Sequence, residues 1–334
     1  MTASDRLRRL AAGVAAGLLA MLAAAGAAAQ ALDPERLLAA VVRVEAEIPG
    51  DAQSARTLGT DRTGTGVAID GDGLIVTIGY TVMEAASITV TTQTGRRHPA
   101  ELVAYDQASG FGLLRAGFGF DAPPLPLGDS AAAGEGTPVL VLSRGGAHAA
   151  MPAMVVSRRE FAGYWEYLLD NAIFTAPPHP AFNGAALVDG SGRLVGIGSL
   201  IVGEAVPGRA VPGNMFVPVS ELTPILGDLL AFGQRQDPPR PWLGVSLREE
   251  RDWLLVERVT ANGPAHAAGL RAGDRIVGIG GRSAGKLAGF YRTLWDLGPA
   301  GVAVPLTVLR GTAVVPLTVE SADRLRHMRL RPTY

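Results

Sequence analysis

Short apolar runs separated by turn residues dominate the chain between residues 38 and 218. The turns are rich in glycine, aspartate and threonine, as in Asp70–Gly73 and Thr94-Gly95. Short runs bounded in this way are typical of strands rather than long helices. We interpret the following runs as strands: Leu38–Ala46, Gly66–Ile69, Leu74–Thr77, Ile88–Thr92, Leu102–Tyr105, Pro138–Leu142, Met154–Ser157, Ala185–Val188, Leu194–Leu200 and Met215–Pro218. The pattern therefore predicts a mainly β fold, either a barrel or a sandwich.

The pattern changes after residue 218. A short helical stretch, Ser220–Phe232, precedes the polar segment Gln234–Arg240, which contains two adjacent prolines. A polar, proline-bearing segment between two apolar patterns is typical of a domain boundary. Beyond it, we predict a strand at Arg275–Ile279 and a helix at Leu287–Leu297.

One apolar stripe runs along that predicted helix. Phe290, Leu294 and Leu297 follow i, i+4, i+7 spacing, so they share a face. Core packing is favoured for Leu294 and Leu297, whereas Phe290 fits a core or a ligand groove equally well.

Composition agrees with a two-domain β protein. The chain has 334 residues, of which 48% are hydrophobic, and it contains 43 glycines and 23 prolines. A formal charge of −1 gives no indication of a nucleic-acid partner. The absence of cysteine excludes disulfides, a thiol nucleophile and thiolate metal sites. No histidine and carboxylate spacing resembles a metal site, and no glycine-rich loop leads into a helix, so we expect no metal or cofactor.

The N-terminus has the pattern of a secretory signal peptide. Arg6, Arg8 and Arg9 precede an uncharged stretch at residues 10–29, and Ala-x-Ala cleavage sites end at Ala29 or Ala31. The alternative is a retained membrane anchor, because the uncharged run is close to the minimum span. Alanine and glycine dominate the run, which favours cleavage of residues 1–31 and export to the periplasm as a soluble protein.

The order of motifs resembles the HtrA (DegP-like) family. The motifs are Gly64–Ile69, Asp72–Thr77, a loop at residues 181–186, Arg193–Gly198, the proline-bearing linker and a C-terminal module. The similarity spans about residues 37–320. The resemblance implies an exported trypsin-like double β-barrel followed by one PDZ domain. The implied boundaries are 1–31 for the signal peptide, 32–233 for the trypsin-like domain, 234–240 for the linker, 241–322 for the PDZ domain and 323–334 for a tail.

The C-terminal module carries the more specific part of the resemblance. Arg240–Val245 resembles the start of an HtrA-type PDZ domain, and Gly263–Ile276 resembles its central signature. Such a loop presents backbone N–H groups to a peptide's terminal carboxylate, and the following strand accepts an added peptide strand. The candidate peptide-binding residues are Trp242, Leu243, Gly244, Val245, Phe290 and Leu294.

In the trypsin-like half, the resemblance assigns the catalytic triad to residues that cannot form one. The histidine position falls on Tyr80 and the aspartate position on Gly110. The nucleophile position falls on Asn183 when aligned back from Leu187-Val188, or on Gly184 when aligned forward from Thr175. A tyrosine with a pKa near 10 is a poor base at neutral pH, glycine orients nothing, and asparagine does not attack.

The surroundings of the nucleophile position are also altered. The vestigial oxyanion loop is Ala181, Phe182 and Asn183, with alanine where the family has glycine. His179 lies four residues before Asn183 but is flanked by prolines, and we interpret it as a loop residue. We interpret the carboxylates of Asp106, Asp129 and Asp170 as surface or turn residues.

These observations give a hypothesis and two alternatives. The hypothesis is a non-catalytic chaperone, adaptor or regulator that binds protein C-termini or unfolded segments through its PDZ domain. The resemblance adds a trimer, or active HtrA-like proteases, as partners. The first alternative is an active serine endopeptidase of periplasmic protein quality control with a displaced triad. The second is a binding module anchored in the membrane through residues 10–29.

Overall fold

The computed structural model describes residues 33–144, 150–328 and 330. The predicted signal peptide, the alternative anchor at residues 10–29 and most of the residues after 328 lie outside these residues. Within them, the strands form two closed barrels and one further sheet. The predicted mainly β fold is therefore confirmed.

The first barrel closes in the order β1-β2-β3-β6-β5-β4, with every neighbouring pair antiparallel. Its strands are β1 (Val41–Glu47), β2 (Asp61–Ala68), β3 (Leu74–Ile78), β4 (Ser87–Thr91), β5 (Arg97–Tyr105) and β6 (Phe111–Ala116). Alternate residues of β1 face the interior: Val42, Val44 and Ala46 pack in one buried cluster with Ile75 and Leu114.

The second barrel closes in the order β10-β11-β12-β9-β8-β7. Its strands are β7 (Pro138–Leu142), β8 (Met151–Gly163), β9 (Tyr167–Ala176), β10 (Ala186–Val188), β11 (Leu194–Val202) and β12 (Gly213–Pro218). β8 and β9 form a long hairpin whose end extends to the C-terminal module. A separate buried cluster joins the two barrels, with Val76 and Leu113 from the first and Ile197 and Val217 from the second.

The C-terminal module is a sheet of order β13-β14-β15-β17-β18, with β16 paired to β15. Its strands are β13 (Val245–Glu249), β14 (Leu254–Val259), β15 (Arg275–Ile279), β16 (Arg282–Ser283), β17 (Ala303–Arg310) and β18 (Ala313–Glu320). β13 is at one end of this order, so one of its edges has no strand of the sheet beside it.

The α-helices of the described residues are short. They are α1 (Pro34–Ala39), α2 (Ala55–Leu58), α3 (Leu226–Phe232), α4 (Pro264–Ala267) and α5 (Leu287–Asp296). The side chain of Asp33 caps α1 by accepting from the backbone N–H groups of Glu35 and Arg36. α5 buries Phe290, Tyr291 and Leu294 against the sheet of the C-terminal module, in accordance with the predicted apolar stripe.

Several elements differ from the prediction. β6 and β9 were not predicted, and the predicted run Met154–Ser157 is only part of β8. The predicted helix Ser220–Phe232 is divided into a 3-10 turn at Val219–Glu221 and helix α3. Gly112 and Arg115 interrupt the apolar residues of β6, so it lacks the continuous apolar run by which the other strands were predicted.

Candidate functional site

Tyr80 lies between the two barrels. It belongs to the 3-10 turn Gly79–Thr81 that follows β3, and its hydroxyl donates to the backbone carbonyl of Ser199 on β11 at 2.8 Å. Burial raises the pKa of the Tyr80 phenol well above its ordinary value. The residue at the histidine position is therefore a neutral hydrogen-bond donor to the other barrel.

Gly110 adjoins the turn that carries Tyr80. Its carbonyl accepts from the N–H of Gly79 at 2.7 Å, and its φ of +85° is a conformation that side-chain-bearing residues rarely adopt. A Cβ atom built on Gly110 would lie 3.3 Å from the hydroxyl of Tyr167. The structure thus brings the predicted histidine and aspartate positions together, but Gly110 offers only backbone groups.

Asn183 is tied to the first barrel. Its Nδ2 donates to the carbonyl of Thr63 at 2.5 Å, and its Oδ1 accepts from Arg144 at 3.5 Å. Its own carbonyl accepts from the N–H of Thr65 at 2.9 Å. The amide side chain is therefore occupied as a link between the loop and β2.

Gly184 has no room for a side chain. Its φ is +77°, and a Cβ atom there would lie 1.9 Å from the carbonyl oxygen of Thr65. Its N–H donates to Gly198 on β11 at 2.8 Å, beside the Ser199 carbonyl that binds Tyr80. Of the two candidate nucleophile positions, only Asn183 can present a side chain.

His179 holds the loop from the other side. Its Nδ1 accepts from the N–H of Ala181 at 3.1 Å, and its backbone N–H donates to Oδ1 of Asn214 at 2.6 Å. The N–H of Ala181 belongs to the loop that the family resemblance assigns to the oxyanion hole. Because it donates to a buried imidazole, it is not directed at a substrate carbonyl.

The hydroxyl groups of Ser143, Thr65 and Thr77 complete the packing of the loop. Ser143 donates to the carbonyl of Ala181 at 2.6 Å and lies 3.0 Å from the hydroxyl of Thr65. Thr77 donates to the carbonyl of Thr65 at 2.6 Å. Hydroxyl groups are too common along the chain for a local pattern to identify these three.

Asp106 is a turn residue, one of the two alternatives that the sequence left open, but it is not a surface residue. Instead of lying on the surface, its side chain is buried and accepts two hydrogen bonds from Arg235, at 2.8 and 2.7 Å. Burial alone would raise the pKa of the Asp106 carboxyl. The hydrogen bonds and charge of Arg235, together with the hydrogen bonds from Ser109, lower this pKa below its ordinary value. The pair fastens the linker residue Arg235 to the first barrel.

Asp129 and Asp170 agree with their interpretation as turn and surface residues. Asp129 caps the 3-10 turn Ser130–Ala132 by accepting from the N–H of Ala131 at 2.8 Å. Asp170 is exposed and pairs with Arg292 of α5, which also pairs with Glu160. Asp170 and Glu160 are on the hairpin of β8 and β9, so these surface pairs connect the hairpin to the C-terminal module.

The loop at residues 242–245 binds a carboxylate within the molecule. The backbone N–H groups of Leu243, Gly244 and Val245 donate to the carboxylate of Glu166 at 2.9, 2.7 and 2.9 Å. The N–H of Trp242 instead pairs with Ala322, and its ring lies against His327. The sequence predicted the chemistry of the loop, but it gave no signal for Glu166.

Phe290 and Leu294 are fully buried. Both belong to the core of the C-terminal module, in a cluster that also contains Leu168 of β9. Phe290, for which the sequence left groove and core open, is therefore a core residue in this structure. The cluster nevertheless borders the residues that contact Glu166, since Leu243 and Val245 belong to it.

Two further findings concern the described residues only. They contain no group of three or more histidine, aspartate and glutamate side chains arranged to hold a metal ion. They also contain no helix with the length and apolar character needed to span a bilayer.

Comparisons with known proteins agree with this architecture. The family description "Trypsin-like peptidase domain" matches residues 64–197, and "PDZ domain" matches residues 241–320. Among curated proteins, "Putative serine protease HhoA" of Synechocystis sp. is 27% identical over 296 residues, covering 78% of this chain and 70% of the relative. "Periplasmic serine endoprotease DegP" of Escherichia coli K12 is 27% identical over 270 residues, covering 77% of this chain but only 56% of the relative.

Solved structures share the fold at lower identity. The structure of "HtrA-type protease AlgW with decapeptide" matches with a TM-score of 0.51 and 22% identity, covering 89% of this chain and 98% of that one. The similarity extends over both barrels and the C-terminal sheet.

Proposed function

Because the chain belongs to the HtrA/DegP-like family of trypsin-like proteases with a PDZ domain, we propose that it binds polypeptides without cleaving them. The observation that carries this proposal is the set of residues at the three catalytic positions. They are a hydrogen-bonded phenol at Tyr80, bare backbone at Gly110 and a hydrogen-bonded amide at Asn183. None of them supplies a nucleophile or a base near neutral pH.

The oxyanion loop supports the same proposal. The N–H of Ala181 donates to His179, so one of the two donors expected for a tetrahedral intermediate is used inside the protein. Without a nucleophile or a base, and with one oxyanion donor occupied, the barrels act as a scaffold for binding. We propose the boundaries 32–233 and 241–322 for the trypsin-like and PDZ domains.

The PDZ domain is the proposed binding element. Three consecutive N–H groups at Leu243–Val245 converge on one carboxylate, which is the arrangement needed to recognise a polypeptide C-terminus. The related AlgW structure is described as holding a decapeptide. We propose protein C-termini and unfolded segments as ligands, and other copies or active relatives as assembly partners.

We also propose export to the periplasm. The charged and apolar pattern of residues 1–31 supports export, and the relative from E. coli is named as a periplasmic protein. Fractionation of cells that express the whole chain tests this step. A membrane-bound product that keeps residues 10–29 would favour the anchored alternative.

The test of the enzymatic class is a digestion assay. The chain from residue 32 onwards is incubated with denatured casein and, separately, with a fluorophosphonate that labels activated serines. We expect neither cleavage nor labelling. Cleavage with a labelled serine, located by mass spectrometry, would show an active protease with a displaced triad.

Asn183→Ser is the matched variant for this assay. It supplies a hydroxyl at the nucleophile position while leaving Tyr80 and Gly110 unchanged. We expect it to remain unlabelled, because no base is present to activate it. If this variant alone were labelled, the serine would be the one missing member of a working site. That result would contradict the proposed loss of all three catalytic residues.

A further inference from the structure

The end of the hairpin formed by β8 and β9 lies against the loop and strand that would receive a peptide. We call residues 163–168 the hairpin tip. We propose that this tip is an internal ligand of the PDZ domain, so that a free C-terminal peptide binds only after displacing it. The inference rests on the peptide-binding function proposed above and adds a regulatory contact to it.

The first observation is that the Glu166 side chain imitates a chain terminus. Its carboxylate accepts from the N–H groups of Leu243, Gly244 and Val245, and the residue is only 7% exposed. Burial raises the pKa of the Glu166 carboxyl, and the hydrogen bonds from these three N–H groups oppose that shift by stabilising the charged form. An incoming α-carboxylate needs the same donors, so Glu166 and a peptide terminus exclude each other.

The second observation is that the tip imitates an added strand. The N–H of Leu247 on β13 donates to the carbonyl of Tyr164 at 2.9 Å. Tyr164 precedes Glu166 by two residues, and β13 has no sheet partner on that edge. A peptide bound by strand addition would use this edge, with its terminus in the adjacent loop.

The third observation is the apolar contact. Leu168 is buried and belongs to the same cluster as Phe290 and Leu294 of the PDZ core. Helix α5 also packs against both β8 and β9. The tip therefore contacts the loop, β13 and α5, which together border the binding groove.

The tip has hydrogen bonds that fix its path. The hydroxyl of Tyr291 on α5 donates to the carbonyl of Gly163 at 2.8 Å and accepts from the N–H of Glu166 at 3.2 Å. Arg324 donates to the carbonyl of Trp165 at 2.8 Å. Glu166 has a φ of +60°, a conformation that is uncommon for glutamate and that these contacts stabilise.

The tip is not enclosed on every side. A cavity of about 450 Å³ is lined by Glu166, Leu168, Trp242, Arg324 and most of the linker residues 234–240. It lies beside these contacts and leaves space next to Glu166 and Leu168, whereas Tyr167 of the tip stays in the buried cluster between the barrels. Displacement changes the contact between two domains rather than unfolding either one.

The occupied groove predicts weak apparent binding. When a site is accessible for only a fraction of the time, the apparent dissociation constant rises by the inverse of that fraction. Removing the Glu166 carboxylate raises the accessible fraction. We expect Glu166→Ala to bind peptide about tenfold or more tightly than the unmodified chain.

The probe is a fluorescein-labelled decapeptide that ends in Tyr-Trp-Leu with a free carboxylate. Tyr and Trp copy residues 164 and 165, and the terminal leucine supplies an apolar side chain, as Leu168 does. Fluorescence anisotropy measures its affinity for the chain from residue 32 onwards and for Glu166→Ala. The same peptide with an amidated C-terminus is the ligand control, and Glu101→Ala, which removes an exposed carboxylate on β5, is the protein control.

Tighter binding by Glu166→Ala alone, lost on amidation, is the expected result. Equal affinities for all three proteins would overturn the internal ligand while leaving peptide binding intact. Failure of Glu166→Ala to bind while it remains folded by circular dichroism would overturn the peptide-binding function itself. Glu166→Gln keeps the size of the side chain and provides a second variant. We expect its affinity for the peptide to lie between those of the unmodified chain and Glu166→Ala.

Hydrogen exchange in the unmodified chain gives an independent measurement. Saturating probe should expose the N–H of Glu166, which donates to Tyr291 when the tip is docked. Faster exchange at the tip on peptide binding supports displacement. Peptide bound with the tip still protected would overturn it.

Discussion

At the scale of single residues, Asp106 shows how a buried charge is stabilised in this protein. Its carboxylate is 4% exposed and receives two hydrogen bonds from Arg235 and one from the backbone N–H of Ser109. Asp106→Asn leaves the guanidinium of Arg235 without its charged partner. We expect a loss of about 2 kcal/mol in the free energy of unfolding at pH 7, measured by urea denaturation.

The same residue predicts a pH dependence with a defined sign. Arg235 and Ser109 overcome the effect of burial and keep the pKa of Asp106 below its ordinary value, so its contribution is complete above about pH 4. The contribution is lost as the pH falls through the lowered pKa. The difference between the unmodified chain and Asp106→Asn should therefore shrink below pH 4. Asp121→Asn, which breaks the exposed pair with Arg96, is the control and should change stability by less than about 1 kcal/mol.

At the scale of elements, helix α5 and the hairpin tip are joined through Tyr291. Its buried hydroxyl donates to the carbonyl of Gly163 and accepts from the N–H of Glu166. Tyr291→Phe therefore removes both hydrogen bonds. We expect a loss of about 1–3 kcal/mol in the free energy of unfolding, measured by urea denaturation. Tyr164→Phe removes an exposed hydroxyl and should be nearly neutral. A neutral Tyr291→Phe would contradict the role of this hydroxyl in docking.

The elements also show which features a sequence pattern can predict. β7 spans the predicted Pro138–Leu142 and β15 the predicted Arg275–Ile279, because turn residues bound short apolar runs there. β9 was missed because Asp170 and Asn171 interrupt its apolar residues at exposed positions. The predicted carboxylate loop does bind a carboxylate, since consecutive backbone N–H groups suffice for that chemistry.

The partner of that loop could not be predicted. Glu166 and Gly244 are 78 residues apart, and no local periodicity relates a hairpin end to a distant loop. Asp106 and Arg235 are 129 residues apart and were missed for the same reason. The sequence therefore predicted the chemistry of individual segments, whereas the pairing between segments depends on the tertiary fold.

At the scale of the whole molecule, the hairpin tip couples the barrels to the PDZ domain. Leu168 is the residue of β9 that lies in the PDZ core, and Tyr164 and Glu166 add backbone and carboxylate contacts. Domains joined through such a shared contact are expected to unfold together, whereas domains joined only by a linker unfold separately. We expect the chain from residue 32 onwards to give one transition by calorimetry.

Leu168→Ala tests this coupling. Removing a buried leucine side chain typically lowers the free energy of unfolding by about 2–5 kcal/mol. Because Leu168 of β9 packs in the PDZ core, this loss weakens the contact between the domains. We expect the single calorimetric transition to divide into two, with the PDZ domain melting first. Val314→Ala shortens an exposed apolar side chain on β18 and should keep one transition. Two transitions in the unmodified chain, or one in Leu168→Ala, would mean that the tip does not govern how the domains unfold together.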